Sequence, residues 1–142
     1  MINDKLALTG ALTIAINDVV VQETNNLVVT AGKEWVADRM ANANTVMTHM
    51  AIGTGTTAAA AGNTALVTEL DRNVLTVSGG TVSANTIQYA CTWAAGDGTG
   101  AITEAGIFDA ATGGDMLART VFAVVNKGAA DSMTITWTIT VS

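Results

Sequence analysis

The sequence has no proline, one cysteine and one histidine among its 142 residues. Without proline, chain reversals fall to Asn, Asp and the 14 glycines. A lone Cys91 closes no intrachain disulfide, and with His49 it leaves too few soft ligands for a thiolate zinc site. Charge is scarce as well: 13% of residues are charged, roughly half the usual share. Lys and Arg number 6 against 12 Asp and Glu, for a formal charge of -6 and a pI near 4.4. Such a surface repels phosphate backbones, whose affinity for proteins comes from cations that displace counterions, so no nucleic-acid partner is expected. No apolar run approaches the roughly 20 residues needed to cross a bilayer. The opening MINDKLALTG also lacks a basic stretch ahead of an apolar one, so neither membrane insertion nor a cleaved export signal is expected.

What the sequence does have is apolar surface, with a mean hydropathy of +0.40. A chain of this length fits one domain able to bury a core, here residues 1–142. A domain this small also leaves apolar area outside, and contiguous patches of that kind mark partner surfaces. Composition therefore points to an oligomer or to a component of a larger assembly.

Alternation of period two dominates. In SMTITWTITVS, Met133, Ile135, Trp137, Ile139 and Val141 share one face, and Thr134, Thr136, Thr138 and Thr140 the other. Further strands are predicted at about 116–126, 85–93 and within RNVLTVSGG and VMTHMAIGTG, with two or three more before Thr30. KGAAD is expected to join the last two strands as an antiparallel hairpin. One helix is predicted over about 32–43, with Thr30 as N-cap and Trp35, Val36, Met40 and Ala43 as its core strip. TALVTEL, residues 64–70, reads as a short helix or an irregular loop. The fold class is mainly β: an antiparallel β-sandwich, a jelly-roll-like fold or a barrel, with that one helix.

Few residues qualify for chemistry. AIGTGTT resembles a phosphate cradle, but no Lys follows before Arg72 and the Rossmann spacing fails at Ala58, so a strand end is expected. A hydrolase would need His49 to meet Cys91, which lies in the alternating strand IQYACTW as a small buried hydrophobe. Asp97, Glu104, Asp109 and Asp115 form an acidic group without EF-hand spacing; turn chemistry explains them better, with structural calcium the lesser option. No catalytic residue, resident metal or cofactor is expected, and the protein is not expected to be an enzyme.

TEAGIFDAATGGDMLARTVF is expected to form a hairpin, strands 102–108 and 116–125, that turns at Gly113-Gly114. With Asp109 beside Met116, Glu104 faces Val121 and lies diagonal to Arg119, within reach of a cross-strand ion pair. Glu69 and Arg72 pair if their segment is helical. As exposed pairs these are worth about 0–1 kcal/mol. Glu104, Arg119, Glu69 and Arg72 are thus candidates for fixing register or a subunit contact.

These segments, taken in order, carry a resemblance. A-x-G-x-G from Ala51 is followed by T-x-L-x-x-E-x-x-R (Thr64, Leu66, Glu69, Arg72), E-A-G-I-F (Glu104 to Phe108), R-T-x-F (Arg119 to Phe122) and a Thr-rich last strand bearing Trp137. The set resembles small virion proteins of tailed bacteriophages: compact head-decoration proteins, and collar or fibre-attachment domains of tails. The resemblance implies a β-rich homotrimer in the virion, made in the host cytoplasm, that docks on the major capsid protein or other virion proteins and carries no catalytic residues. A chain ending at Ser142, without a repetitive shaft, fits a decoration or cement protein better than a full fibre. A tail collar, baseplate or fibre-adaptor subunit is the second expectation. A carbohydrate- or receptor-binding module using Trp93 or Trp137 is the third. Residues 1–16 are read as a possible arm onto a neighbouring subunit.

Overall fold

The computed structural model describes residues 5–43 and 45–142. Eleven elements follow in chain order: β1 (Leu8–Ile16), β2 (Val19–Asn25), β3 (Leu27–Val28), α1 (Thr30–Ala41), β4 (His49–Gly53), β5 (Glu69–Val74), β6 (Thr81–Ser83), β7 (Thr86–Trp93), β8 (Gly100–Phe108), β9 (Met116–Lys127) and β10 (Met133–Val141). They form two five-stranded antiparallel sheets, ordered β2-β1-β10-β7-β6 (sheet A) and β3-β9-β8-β4-β5 (sheet B). Each sheet ends in edge strands, so this is a sandwich and not a closed barrel.

The predicted alternation places the core. Met133, Ile135, Trp137 and Ile139 of β10 point inward with Tyr89, Cys91 and Trp93 of β7. Facing them from sheet B are Met50, Ile52, Ile102, Ile107 and Phe122. A smaller second core of Val29, Ala51, Leu66, Phe108 and Met116 lies on the outer face of sheet B. Covering that face is the work of residues 54–68, which run without helix or strand from β4 to β5.

Three local expectations need correction. β9 and β10 do not form a hairpin: β9 pairs with β3 and β8, and β10 with β1 and β7. The KGAAD link is an arch between sheets, held where the Gly128 N–H donates to Asp131 Oδ2 and Asn17 Nδ2 donates to Asp131 Oδ1, both at 2.9 Å. The helix begins earlier, at Thr30, after Val29, and no side chain caps it. Of its expected core strip, Trp35 and Val36 pack on the main core, while Met40 is 84% exposed and Ala43 is exposed beyond the helix end. Finally, the described part of the expected arm is a sheet strand of its own chain, since β1 pairs with β2 on one side and β10 on the other. Along Ala11–Ile16 both edges of β1 are paired within the chain, while Leu8 and Thr9 have a strand partner in β10 alone. Residues 1–4 of that segment lie outside the described residues.

Candidate functional site

The hairpin of β8 and β9 forms with the expected register, Glu104 opposite Val121 and Gly106 opposite Arg119. Its turn uses Gly113 and Gly114 at φ of +59° and +75°, a region glycine enters without steric cost. Irregularities in the ladder at Thr103 and Leu117 reset the alternation. As a result Ile102, Ala105 and Ile107 face the main core, while Phe108 and Met116 belong to the outer one. Glu104 and Arg119 share that outer face of sheet B, beneath the 54–68 strap.

There they are not the exposed pair anticipated from sequence. Both side chains are 0% exposed, with Arg119 Nη2 2.8 Å from Glu104 Oε2. Arg119 Nε donates to the same oxygen at 3.2 Å. Glu104 also accepts backbone N–H groups from both ends of the strap: Gly55 at 3.0 Å, Val67 at 3.0 Å and Thr68 at 2.7 Å. Arg119 grips the middle, donating to the Thr57 carbonyl at 2.9 Å and to Asn63 Oδ1 at 3.0 Å. Thr103 Oγ1 donates to the Gly55 carbonyl at 2.8 Å. Burial alone pushes the Glu104 carboxyl up; the Thr68 N–H, the Arg119 guanidinium and the Val67 and Gly55 N–H groups outweigh it and hold the carboxyl below its ordinary value.

This geometry explains A-x-G-x-G. A Cβ on Gly53 would collide with the Thr68 carbonyl, and one on Gly55 would sit 2.5 Å from Glu104 Oε1. The glycines let the backbone approach a carboxylate of the protein itself, where a phosphate loop would approach a ligand. Asn63, Thr57 and Thr103 were not singled out from sequence, because nothing in a Thr- and Ala-rich loop marks which polar atoms will be covered.

Glu69 and Arg72 also pair, but in a strand. The β4–β5 ladder shifts between Ile52 and Gly53, opposing Asp71 to Ile52 and Glu69 to Gly53. The extra residue, Leu70, returns Glu69 to the face of Arg72. Arg72 Nη2 lies 2.6 Å from Glu69 Oε1, and its Nε donates to Oε2 at 3.1 Å. Nη1 donates to the carbonyls of Ala110 and Gly113 at 3.0 and 2.9 Å, and the guanidinium stacks 3.8 Å from the Phe108 ring centre. Arg72 therefore ties the β8–β9 turn to β5.

The remaining chemical candidates fall apart in space. His49 shares the outer face of sheet B with Ala51, and its Nδ1 pairs with Thr48 Oγ1 at 2.8 Å. Cys91 faces the main core, its thiol directed at the Asn73 and Val74 carbonyls and pushed up to about 12, chiefly by burial. The Asp109 carboxylate accepts the Asp115 N–H at 2.7 Å and closes the turn, and Asp97 donates its N–H to the Ala94 carbonyl in another turn. Among the described residues no three of His, Cys, Asp or Glu gather as metal ligands. Lys127, unremarked in the sequence, is buried with Nζ 3.0 Å from the Ala94 carbonyl. Trp93 and Trp137 are both 0% exposed, which removes them as platforms for stacking a sugar.

The outer face of sheet A is a second surface that the strand registers define. The register places Thr9, Ala11, Thr13 and Ala15 of β1 against Thr140, Thr138, Thr136 and Thr134 of β10. Those in turn oppose Thr86, Gln88, Ala90 and Thr92 of β7. None of these twelve positions carries a charge. A shallow depression of about 610 Å³ is lined by Ala11, Thr13, Gln88, Thr136 and Thr138 and, from β2, by Glu23, which pairs with Thr13. Beside it β2 exposes Val19, Val20 and Val21. No helix among the described residues is long and apolar enough to cross a membrane. Comparison with models of known families, with curated proteins and with solved structures found no match.

Proposed function

We propose that this chain is a structural component of a tailed-bacteriophage virion: a homotrimeric capsid decoration protein that binds the assembled head shell and stabilises it. The observation that carries the reading is the threonine-covered outer face of sheet A, uncharged along β1, β10 and β7, with Glu23 of β2 beside Thr13 and the exposed valines of β2 next to it. A face kept in water ordinarily mixes Lys, Glu and Asp, whereas the centres of protein interfaces are depleted of charge. The polar network of the molecule supports the same role. Glu104, Arg119 and Arg72 spend their hydrogen bonds on the protein's own loop and turn, building a rigid platform. A platform that binds only the assembled shell stabilises it by mass action.

Mass spectrometry of particles carrying the protein, separated into tail-free heads and tails, tests the assignment. Decoration predicts recovery with heads in numbers that scale with the capsomers; recovery with tails alone moves the protein to a collar or adaptor. The face itself is tested by Thr136→Lys with Thr138→Lys, which should leave the unfolding midpoint near that of the parent and abolish incorporation. Normal incorporation of that variant would remove sheet A as the docking face. A monomer mass by light scattering would count against the trimer.

A further inference from the structure

The fold contains a second, unrelated concavity. Beneath α1 a cavity of about 310 Å³ reaches the main core, at the lower end of the roughly 300–1,000 Å³ typical of small-ligand sites. Met47, Tyr89, Leu117 and Ile139 form its floor, each buried, and Trp35 and Val36 of α1 form one wall. The helix leaves it open because α1 is held mainly at its start. Gly32, its only buried residue, sits against the Leu117 backbone, and residues 37–41 are exposed. Trp35 is fixed by its Nε1 donating to the Thr45 carbonyl at 2.9 Å.

The charge around this cavity is the opposite of the chain's. The protein has a formal charge of -6, yet among the described residues no Asp or Glu lines the cavity and its charged lining residue is Arg39. The Arg39 guanidinium lies over the Trp35 ring, 5.7 Å from its centre, on the exposed side. Its charge is also felt inside: burial pushes the Tyr89 hydroxyl up to about 12, and Arg39 draws it partly back. Tyr89 is therefore a protonated donor at neutral pH. An apolar pocket with a cation at its mouth and a hydroxyl within suits a ligand with one apolar tail and one anionic end.

We propose that this cavity binds a small amphipathic carboxylate, a single acyl chain whose tail lies on Met47, Leu117 and Ile139 and whose carboxylate meets Arg39 and Tyr89. The volume admits one such chain and excludes a two-chain lipid.

The test uses the full chain with decanoate, below its micellar concentration, as the probe and decylamine as the oppositely charged control. Calorimetry should find one saturable decanoate site per chain, and the Met47 methyl resonance should shift on binding. Decylamine should bind at least about tenfold more weakly, and Arg39→Gln should weaken decanoate by about tenfold or more, the usual loss for a hydrogen bond to a charged group. Val36→Trp, which fills the cavity, should abolish binding while keeping the parent's unfolding midpoint. The proposal is overturned by no saturable binding to the unsubstituted protein, by a Met47 methyl that does not respond, or by decylamine binding as tightly as decanoate. Because the first two readouts use the unsubstituted chain, they stand even if Val36→Trp fails to fold.

Discussion

Replacing Glu104 by Gln changes one atom and one charge, and so measures what the buried carboxylate does for the 54–68 strap. The carboxylate accepts from five N–H groups: those of Gly55, Val67 and Thr68, and Nε and Nη2 of Arg119. An amide offers one oxygen. Placed at Oε1 it keeps Gly55 and Thr68, but its NH₂ then confronts Val67 and both Arg119 donors; flipped, it confronts Gly55 and Thr68. In either orientation at least two donors face a donor, and the Arg119 guanidinium, 0% exposed, loses its counter-charge. Removing one partner of a buried pair costs about 3–5 kcal/mol, and unsatisfied donors about 1–3 kcal/mol each. Because these costs overlap, the expected loss is about 3–5 kcal/mol, or about 10–15 °C in Tm for a chain of this size. Urea unfolding gives the loss, and amide exchange at Gly55, Val67 and Thr68 locates it: those amides should exchange far faster while β10 stays protected. Glu104→Leu with Arg119→Met should not restore the stability: it removes both charges, but leaves the Gly55, Val67 and Thr68 N–H groups without an acceptor. A loss below about 1 kcal/mol, as for an exposed pair, with all three amides still protected, would refute the reasoning.

Glu104 also sets a pH dependence. Its folded carboxyl is held below the ordinary value, so its contribution is complete above the unfolded value of about 4.3 and disappears as pH falls through the folded one. Stability measured by urea midpoint should therefore drop below about pH 5, and drop less steeply in Glu104→Gln. Cys91, buried and with its thiol pushed up to about 12, should resist an aromatic disulfide reagent at mildly alkaline pH and react once per chain after denaturation; rapid native reaction would place it at the surface. Gly55→Ala forces a Cβ to within 2.5 Å of Glu104 Oε1 and should cost about 1–3 kcal/mol as an overpacked site. An unchanged denaturation midpoint would show that the strap yields freely.

Period-two alternation was legible because each strand of sheet A has one face in the core and one outside. A one-residue slip of Trp137 and its neighbours would turn indole and isoleucine to water. The Glu104–Val121 pairing was legible for a related reason, since turn glycines and strand lengths fix a hairpin once its ends are known. Burial of that pair was not legible, because what covers it is a segment with no periodicity at all. Residues 54–68 read as a loop and are a loop, and only the three-dimensional path shows that it lies over sheet B and closes on Glu104. The β9–β10 error has the same origin. A short Gly-containing link serves equally for a hairpin within one sheet and an arch between two, and the choice depends on β1 and β7 flanking β10 from distant parts of the chain. Glu69 and Arg72 show how a local rule succeeds through different geometry, the bulge at Leu70 supplying the common face that a helix was expected to supply. In each case nearest-neighbour chemistry came through and its solvent exposure did not, because exposure is decided by segments remote in sequence. The same asymmetry bears on the proposed role. Glu104, Arg119 and Arg72 are committed to contacts within the protein, and on the proposed docking face a partner would meet mainly threonine hydroxyls, alanine methyls and valine side chains, with Glu23 the charge on β2. Docking through such a surface depends on shape and excluded water, and its affinity should be correspondingly insensitive to salt.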